Sequence, residues 1–502
     1  MLVHNFLHES ARRLPEKKAL ICREQTFTYR ELSKRVLNLK AVLLEMGLKK
    51  GERVGIYLEN SPEAVVSIFA TLSAGGCFAI INPTIKARKL RYILQNSSPG
   101  FLITTSTQKG VFDEAAEGLK AAPRMLSINE EPFRQIFAGT GGEKSAKNET
   151  RIIDNDLAAI IYTSGSTGNP KGVTMTHRNM YSAAASITAY LENVEDDIIL
   201  NTLPFSFDYG LYQLLMSFKI GGTLILEKGF GYPFQIIELI KKEKVTGLPC
   251  VPTILAILLQ LENLESQDLT SVRYITNTAA QLPKGYIPRL KAAFPNARIY
   301  SMYGLTECKR VSYLPPELID KKPGSVGIPM PNLECWIEDE EGRELPPGEI
   351  GELVVRGASV MQCYWNDPEG TSAILKKGKY PFEKKLYTGD LFRMDDEGCL
   401  YFVGRKDDLI KSRGERIAPK EIEDVIYDIP EVLGVRVIGV PHEIFGQAIK
   451  AEIVIKNGSE LNEKEVKSHC KNHLEDLMVP HLIEFVKELP ISESGKIKRK
   501  DY

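Results

Sequence analysis

The chain has 502 residues, of which 43% are hydrophobic and 26% charged, and its 64 Lys and Arg nearly balance its 65 Asp and Glu. This length exceeds what one hydrophobic core usually serves, so at least two domains are expected. The formal net charge of -1 creates no overall field for nucleic acid or an anionic membrane, and we expect neither as a partner.

Cysteine spacing and apolar runs exclude several further classes of protein. The 8 cysteines are scattered without any CxxC pair, so neither a disulfide framework nor a zinc site is indicated. The longest apolar run, residues 211–226, is interrupted by Lys219 and two glycines and is too short to span a membrane. Residues 1–20 carry charges throughout and lack a signal-peptide core. We therefore expect a cytoplasmic protein.

Strands alternate with helices early in the chain. Thr28 and Glu31 have the spacing of a capping box, which predicts a helix running to about residue 46. Ser61 and Pro62 are typical of an N-cap and a first helical position. Strands are predicted at residues 53–58, 77–81 and 101–104. This alternation indicates a parallel sheet covered by helices.

The most informative stretch is a loop rich in hydroxyls and glycine. It follows an apolar run, residues 157–162, that is typical of a strand buried on both faces. The loop reads Thr163-Ser164-Gly165-Ser166-Thr167-Gly168-Asn169-Pro170-Lys171-Gly172. Successive backbone N–H groups in such a loop form a concavity for anions, which the hydroxyls and the Lys171 ammonium would strengthen. We expect it to bind a triphosphate.

Neither a P-loop nor a plain turn explains this stretch as well. A P-loop ends in Gly-Lys-Ser/Thr and leads into a helix, whereas Pro170 precedes Lys171 here and residues 173–176 are predicted to form a strand. A plain hairpin turn needs neither the hydroxyls nor the lysine.

The pattern of predicted helices and strands changes twice in the second half of the chain. Helices are predicted at residues 179–191, 234–242 and 254–261, with strands between them. From residue 324 the strands become shorter and Gly and Pro more frequent, which predicts a small β-rich subdomain. We therefore predict an α/β protein with a large N-terminal domain, residues 1–406, and a small mobile α+β C-terminal domain, residues 407–502.

Four further segments, together with the loop, carry a family resemblance over nearly the whole chain. They are Tyr303-Gly304-Leu305-Thr306-Glu307, Tyr387-Thr388-Gly389-Asp390, residues 404–417 and residues 490–497. In this order they resemble the signatures of the AMP-forming, or adenylate-forming, ligases: acyl-CoA synthetases, luciferases and amino-acid adenylation domains. A charged turn explains any one of these segments alone, but not the ordered set.

The resemblance implies a site for ATP. In the family, the residue matching Tyr303 packs on the adenine, that matching Thr306 contacts phosphate, and that matching Glu307 holds magnesium, which agrees with the preference of hard cations for carboxylates. The residue matching Asp390 accepts from the ribose hydroxyls, and that matching Arg405 also binds the nucleotide. The loop from Thr163 to Gly168, with Lys171, would hold the phosphates.

The last two segments concern catalysis and domain motion. Lys496 matches the catalytic lysine of the family, which would spread positive charge over carboxylate and α-phosphate oxygens during attack. Asp407 matches the hinge. Lys411 and Gly414 would line the active site and the thiol channel in the second step.

The reaction implied by the resemblance has two steps. A carboxylic acid is activated by Mg-ATP as acyl-AMP, with release of pyrophosphate, and a thiol then displaces AMP after a hinge motion of the small domain. Because the chain stops just after Lys496, we expect no fused carrier domain. The acceptor is then either coenzyme A or the phosphopantetheine of a separate carrier protein, and both stay open.

Two residues bear on the choice of acid. Phe207 stands where the family has an aromatic residue that gates the acyl pocket. Asp208 stands where amino-acid adenylation domains keep an aspartate for the substrate ammonium, but Asp is also a favoured N-cap for a helix starting at Tyr209. We favour the cap, and therefore a small carboxylic acid without an amino group.

Three other functions are alternatives to this one. A stand-alone amino-acid adenylation enzyme is the first alternative. A non-catalytic nucleotide sensor is disfavoured, because a binding protein needs no catalytic lysine. A luciferase-like oxygenase stays open.

Overall fold

The computed structural model describes residues 1–139, 150–163, 169–412, 415–442, 445–456 and 458–490. Its first stretch contains α1 (Asn5–Arg13), β1 (Lys18–Cys22), β2 (Gln25–Thr28), α2 (Tyr29–Glu45), β3 (Arg53–Ile56), α3 (Pro62–Ser73), β4 (Cys77–Ile80), α4 (Ala87–Ser97), β5 (Phe101–Thr104), α5 (Lys109–Ala116), β6 (Arg124–Ser127) and α6 (Phe133–Ala138).

The middle of the chain contains β7 (Leu157–Thr163), β8 (Lys171–Thr176), α7 (His177–Tyr190), β9 (Ile198–Asn201), α8 (Asp208–Ile220), β10 (Thr223–Leu226), α9 (Pro233–Glu243), β11 (Gly247–Cys250), α10 (Pro252–Leu259), β12 (Tyr274–Asn277), α11 (Tyr286–Ala293), β13 (Arg298–Tyr303), β14 (Ser312–Tyr313) and β15 (Ile328–Pro329).

The remaining elements are β16 (Leu333–Glu338), β17 (Ile350–Gly357), α12 (Pro368–Ile374), β18 (Leu375–Lys377), β19 (Lys384–Met394), β20 (Leu400–Arg405), β21 (Ile410–Ser412), β22 (Glu415–Ile417), α13 (Pro419–Tyr427), β23 (Val432–His442), β24 (Gly446–Ile455), α14 (Glu463–His473) and β25 (Leu482–Phe485).

Two large sheets form the body of the protein. One has the strand order β6-β5-β3-β4-β7-β8 and is parallel except for the final β7–β8 pair. The other has the order β15-β14-β13-β12-β11-β9-β10-β1-β2, with parallel pairing from β13 to β1 and antiparallel pairing at both edges. The predicted helix-covered sheets are confirmed.

Two smaller sheets follow along the chain. Strands β16 to β20 pair antiparallel, which confirms the predicted β-rich subdomain. Strands β21 to β25 form a further sheet that packs with α13 and α14. The buried apolar residues after β20 form a hydrophobic cluster of their own, from Ile410 to Val479, whereas the main cluster runs from Val3 to Leu400.

Local capping signals place several helices as predicted. Thr28 caps α2 with the full capping box, since its hydroxyl accepts from the Glu31 N–H and the Glu31 carboxylate accepts from the Thr28 N–H. Ser61 caps α3 through the Ala64 N–H, with Pro62 at the first position. Helix α7 begins two residues before the predicted start, because Thr176 caps it and exchanges hydrogen bonds with Asn179.

Membrane crossing requires a long apolar helix. Across the ranges that the structure describes, no helix combines the necessary length with the necessary hydropathy.

Candidate active site

The hairpin of β7 and β8 brings the two ends of the predicted phosphate loop together. The strands pair antiparallel with Thr163 opposite Lys171, so the strand predicted after the loop is confirmed and a P-loop is excluded. The Lys171 ammonium lies 4.8 Å from the centre of the Tyr364 ring, a cation–π distance. The central loop residues lie outside the described residues: Ser164, Gly165, Ser166, Thr167 and Gly168.

Glu307 contacts the same tyrosine through its hydroxyl group. The Tyr364 hydroxyl donates to Glu307 Oε1 at 2.6 Å, and the Met361 N–H donates to the Glu307 carbonyl at 2.7 Å. Burial, and then the nearby Glu307 charge, raise the pKa of Tyr364, so its phenol stays protonated and donates. Lys171 and Glu307 therefore meet at one aromatic ring.

A single carboxylate at this position fits magnesium. In the described part of the chain, no group of three or more His, Cys, Asp and Glu side chains gathers as a metal cage. Mg²⁺ is commonly bound through one or two carboxylates, with its other positions held by water and substrate phosphates. Glu307 beside the phosphate hairpin offers that donor set.

Asp390 is the centre of a second polar cluster. Its buried carboxylate accepts from the Tyr303 hydroxyl at Oδ2 and from Arg405 Nε at Oδ1, the latter at 3.0 Å. The antiparallel pairing of β19 and β20 sets Asp390 directly opposite Arg405, although they are separated along the chain. The Tyr303 ring packs edge-on against Phe392, with 4.7 Å between the ring centres. The structure therefore brings together three residues that were predicted to bind the nucleotide.

An adjoining cleft is lined by residues from α8 and from the loop after β13. Its empty volume, counted out to open solvent, is about 430 Å³. Phe207, Asp208, Gly304 and Thr306 line it, as do Lys309 and Arg310. A side chain at position 304 would bring a Cβ within 2.1 Å of the Lys309 carbonyl oxygen, so glycine is required for the loop to fold back there.

The predicted N-cap role of Asp208 is wrong. Phe207 occupies the N-cap, α8 begins at Asp208, and the Gly210 and Leu211 N–H groups donate to the Phe207 carbonyl. The Asp208 carboxylate instead points at Lys309, with Oδ2 2.8 Å from Nζ, and both side chains are buried. A buried carboxylate is stabilised far more by a buried ammonium than by the end of a helix, and the fold supplies that partner.

Lys309 and Arg310 are site residues that the sequence analysis missed. The Lys309 ammonium also lies 4.0 Å from the centre of the Tyr212 ring. Burial lowers the pKa of Lys309 to about 8, and the Asp208 charge opposes that shift. The Arg310 guanidinium lies 5.0 Å from the centre of the Tyr209 ring. Their position directly after the Tyr-Gly-x-Thr-Glu segment was the signal available in the sequence.

Tyr364 was missed as well. It directly precedes Trp365, whose N–H donates to the Gly172 carbonyl at 2.7 Å and thereby ties this segment to β8. Asp367 follows and caps α12 through the Gly370 N–H. An aromatic pair just before an Asp-Pro helix start was the available signal.

Lys411 is not brought to the cleft, and the remaining predicted residues lie in the turn after β20 or outside the described residues. The Lys411 N–H donates to Gln447 within the C-terminal sheet, and none of the contacts described for Lys411 reaches the cleft. Asp407 is exposed in a short 3-10 turn, residues 406–408, after β20. Gly414 and Lys496 lie outside the described residues.

The chain matches known families and proteins over nearly its whole length. The AMP-binding enzyme family matches residues 7–365, and the AMP-binding enzyme C-terminal domain matches residues 421–496. Long-chain-fatty-acid–CoA ligase of Bacillus subtilis (strain 168) is 31% identical, covering 99% of this chain and 93% of that protein. 4-Coumarate–CoA ligase of Vanilla planifolia is 30% identical, covering 99% and 92%.

Solved structures show the same resemblance. ATP-bound MatB from Rhodopseudomonas palustris superposes with a TM-score of 0.90 at 29% identity, covering 99% of this chain and 97% of that one. O-succinylbenzoate coenzyme A synthetase (MenE) from Bacillus subtilis, in complex with ATP and magnesium ion, gives a TM-score of 0.84 at 30% identity, covering 98% of both chains.

Fold and site together define an adenylate-forming enzyme that uses ATP and magnesium. The chain belongs to the AMP-binding enzyme family. It is an AMP-forming acid–thiol ligase, which activates a carboxylic acid as acyl-AMP, passes the acyl group to a thiol, and releases AMP and pyrophosphate. The predicted family, fold class and reaction are confirmed.

Proposed function

We propose that this enzyme joins a small carboxylic acid without an α-amino group to coenzyme A. The curated relatives are named as ligases of long-chain fatty acids or 4-coumarate with CoA, which supports coenzyme A as the acceptor. The structure adds that Asp208, the residue that would bind a substrate ammonium, already has a buried ammonium partner in Lys309. A separate carrier protein is the alternative acceptor.

One observation carries the catalytic part of the proposal. Lys171 from the phosphate hairpin and Glu307 from the loop after β13 both contact Tyr364. Lys171 could contact phosphate oxygens and Glu307 could bind magnesium, and only the Tyr364 side chain separates these two groups. A bound Mg-triphosphate requires a cation and a carboxylate placed this close together. Tyr364 would hold the Glu307 carboxylate in place by donating its hydroxyl hydrogen.

The nucleotide would extend from this point to Asp390. Tyr303 would pack on the adenine, and Asp390 would accept from the ribose hydroxyls with Arg405 beside it. Asp390 is buried, and its contacts with Tyr303 and Arg405 fix the orientation of its carboxylate, which lowers the entropic cost of binding. The loop residues from Thr163 to Gly168 would donate to the phosphates.

In the first step, a carboxylate oxygen of the acid attacks the α-phosphorus and the bond to pyrophosphate breaks. Thr306 and Gly304 line the cleft where the acid would lie, and Phe207 would close its mouth. Lys496 would stabilise the charge that develops on the reacting oxygens. Glu307 would hold the magnesium, which supplies positive charge to the phosphates.

In the second step, the thiol attacks the acyl carbon and AMP leaves. We propose that residues 1–406 and 407–502 are separate domains that rotate about Asp407 between the steps, in keeping with their separate hydrophobic clusters. Rotation would bring Lys411 and Gly414 to the cleft in place of Lys496.

The test is acid-dependent release of AMP with coenzyme A as the acceptor, followed by mass spectrometry of the thioester. We expect equal amounts of AMP and thioester. Thioester formation with a phosphopantetheinylated carrier protein, but not with coenzyme A, would contradict the acceptor. Release of AMP only with α-amino acids would contradict the proposal that the substrate acid lacks an α-amino group.

A further inference from the structure

The floor of the acyl cleft carries an excess positive charge. Lys309, Arg310 and Asp208 all line the cleft, so two cations face one anion. Lys309 pairs with Asp208 at 2.8 Å. Among the described residues no carboxylate forms an ion pair with Arg310: its guanidinium interacts with the Tyr190 hydroxyl and the Tyr209 ring, and its Nε is buried without a hydrogen-bond partner. A buried guanidinium without a carboxylate is costly unless a ligand supplies one.

The backbone holds these charges in place at some cost. Lys309 has φ of +72° and Ala279, which also lines the cleft, has φ of +76°, a region that residues with a Cβ seldom occupy. Such strain persists where the surrounding structure imposes it, and it concentrates at ligand sites. At Lys309 it accompanies the close approach of residue 304 to the Lys309 carbonyl.

Resting on the proposed function, we propose that the acid carries a second anionic group at the end away from the reacting carboxylate, as in a short dicarboxylic acid, and that Arg310 binds this group. Guanidinium and carboxylate groups match in charge and planar geometry. Lys309 adds to the positive potential of the cleft, and its ion pair with Asp208 fixes the position of the Lys309 ammonium.

The same charges argue against two other substrate classes. An alkyl tail would cover Arg310 without offering it an acceptor, which carries a desolvation cost, so the long-chain specificity named for some relatives does not fit this cleft. An α-amino acid would bring a further positive charge to a site whose Asp208 is already neutralised by Lys309.

The test compares matched acids. Succinate, glutarate, adipate and 4-carboxybenzoate are each paired with the acid that has a methyl group in place of the distal carboxylate: butyrate, pentanoate, hexanoate and 4-methylbenzoate. Binding is measured by calorimetry in the presence of magnesium and a non-hydrolysable ATP analogue, and kcat/KM is measured separately from AMP release with coenzyme A.

We expect the best dicarboxylate to exceed its methyl counterpart by about thirtyfold or more in both measurements, on the scale of a buried charge pair. Arg310→Met should remove this preference while ATP binding is retained. Arg298→Met is the matched control, because Arg298 pairs with Glu192 on the surface outside the cleft, and it should keep the preference.

Binding that favours the methyl acids, no binding of any of these acids, or a preference unchanged in Arg310→Met would overturn the inference. Binding of a dicarboxylate that depends on Arg310, without AMP release, would uphold the subsite and contradict the proposed function. The two failures are therefore distinguishable.

Discussion

The Asp208–Lys309 pair controls the charge balance of the acyl cleft at the scale of single residues. Asp208→Asn removes the partner of a buried ammonium, and such a loss commonly costs about 3–5 kcal/mol when the remaining charge cannot escape. Lys309 can release its proton instead, because burial already lowers its pKa to about 8. We therefore expect a loss of about 1–3 kcal/mol at pH 7.

The pH dependence of this variant has a definite sign. A lysine whose pKa is lowered by folding binds fewer protons folded than unfolded, so its contribution to stability rises with pH between about 8 and its ordinary value near 10.5. The difference in melting temperature between Asp208→Asn and the unaltered protein should shrink from pH 6 to pH 9. A difference in melting temperature that stays constant with pH would contradict the charged pair. A preference for α-amino acids in the unaltered enzyme that is lost in Asp208→Asn would instead favour the alternative, amino-acid substrate.

Lys496 supports a prediction about rate rather than affinity. If it acts mainly in the transition state of acyl-AMP formation, Lys496→Ala should abolish adenylation and leave ATP binding nearly intact. The variant should still make thioester from presynthesised acyl-AMP, because that step would not use Lys496. ATP–pyrophosphate exchange within about tenfold of the unaltered enzyme, or about 1.4 kcal/mol in the barrier, would contradict the role.

At the scale of elements, helices α1 and α7 enclose three neighbouring histidines. His4 packs edge-on against both His8 and His177, with ring centres 6.1 and 5.6 Å apart. His177 Nδ1 accepts from the Val3 N–H at 3.1 Å, so this ring links the first residue of α7 to the segment just before α1. Burial lowers the pKa of His4 to about 3, and those of His8 and His177 to about 4.

This cluster predicts loss of stability in mild acid. Lys40 and Arg12 nearby further disfavour the charged forms, while Asp156 partly favours that of His177. Because the unfolded chain takes up protons near pH 6.5 and the folded one does not, stability is present above pH 6.5 and falls toward pH 4. The slope is about 1.4 kcal/mol per pH unit for each histidine.

Melting temperatures between pH 7 and pH 5 test the prediction. His177→Gln should flatten the pH dependence, because glutamine does not titrate in this range. Its side-chain oxygen can still accept from the Val3 N–H, so the contact itself is kept. His473→Gln is the control, because His473 is exposed on α14, and it should leave the slope unchanged. Equal slopes in all three proteins would mean that other groups cause the acid sensitivity.

At the scale of the whole molecule, the proposed cycle depends on rotation at Asp407. Asp407→Pro fixes φ at one position of the turn between β20 and β21 and should prevent the backbone change. We expect near-normal ATP–pyrophosphate exchange with little thioester, whereas Asp407→Ala, which leaves the backbone free, should make both. An equal loss of both activities in Asp407→Pro would assign the turn to folding or nucleotide binding instead.

Features that depend on neighbouring residues were predictable from the sequence. Thr28 and Glu31 satisfy each other within one turn, and the strands flanking the phosphate loop pair because the loop is short, so neither needs the rest of the chain. The motif order then identified the family and the reaction, since a set of short segments in fixed order is specific even where each is weak. The roles of Lys496, Gly414 and the central loop residues stay predictions.

Partners that are distant in sequence were decided by tertiary structure alone. From the sequence, Asp208 could be either an N-cap or a residue that binds a substrate ammonium. Only the tertiary structure, which brings Lys309 against the start of α8, gives Asp208 a buried ammonium partner from the chain itself. Tyr364 joins Lys171 to Glu307 because Trp365 attaches its segment to β8. A charged or aromatic side chain bonds to whichever complementary group packing brings within a few ångströms, and local sequence does not specify that group.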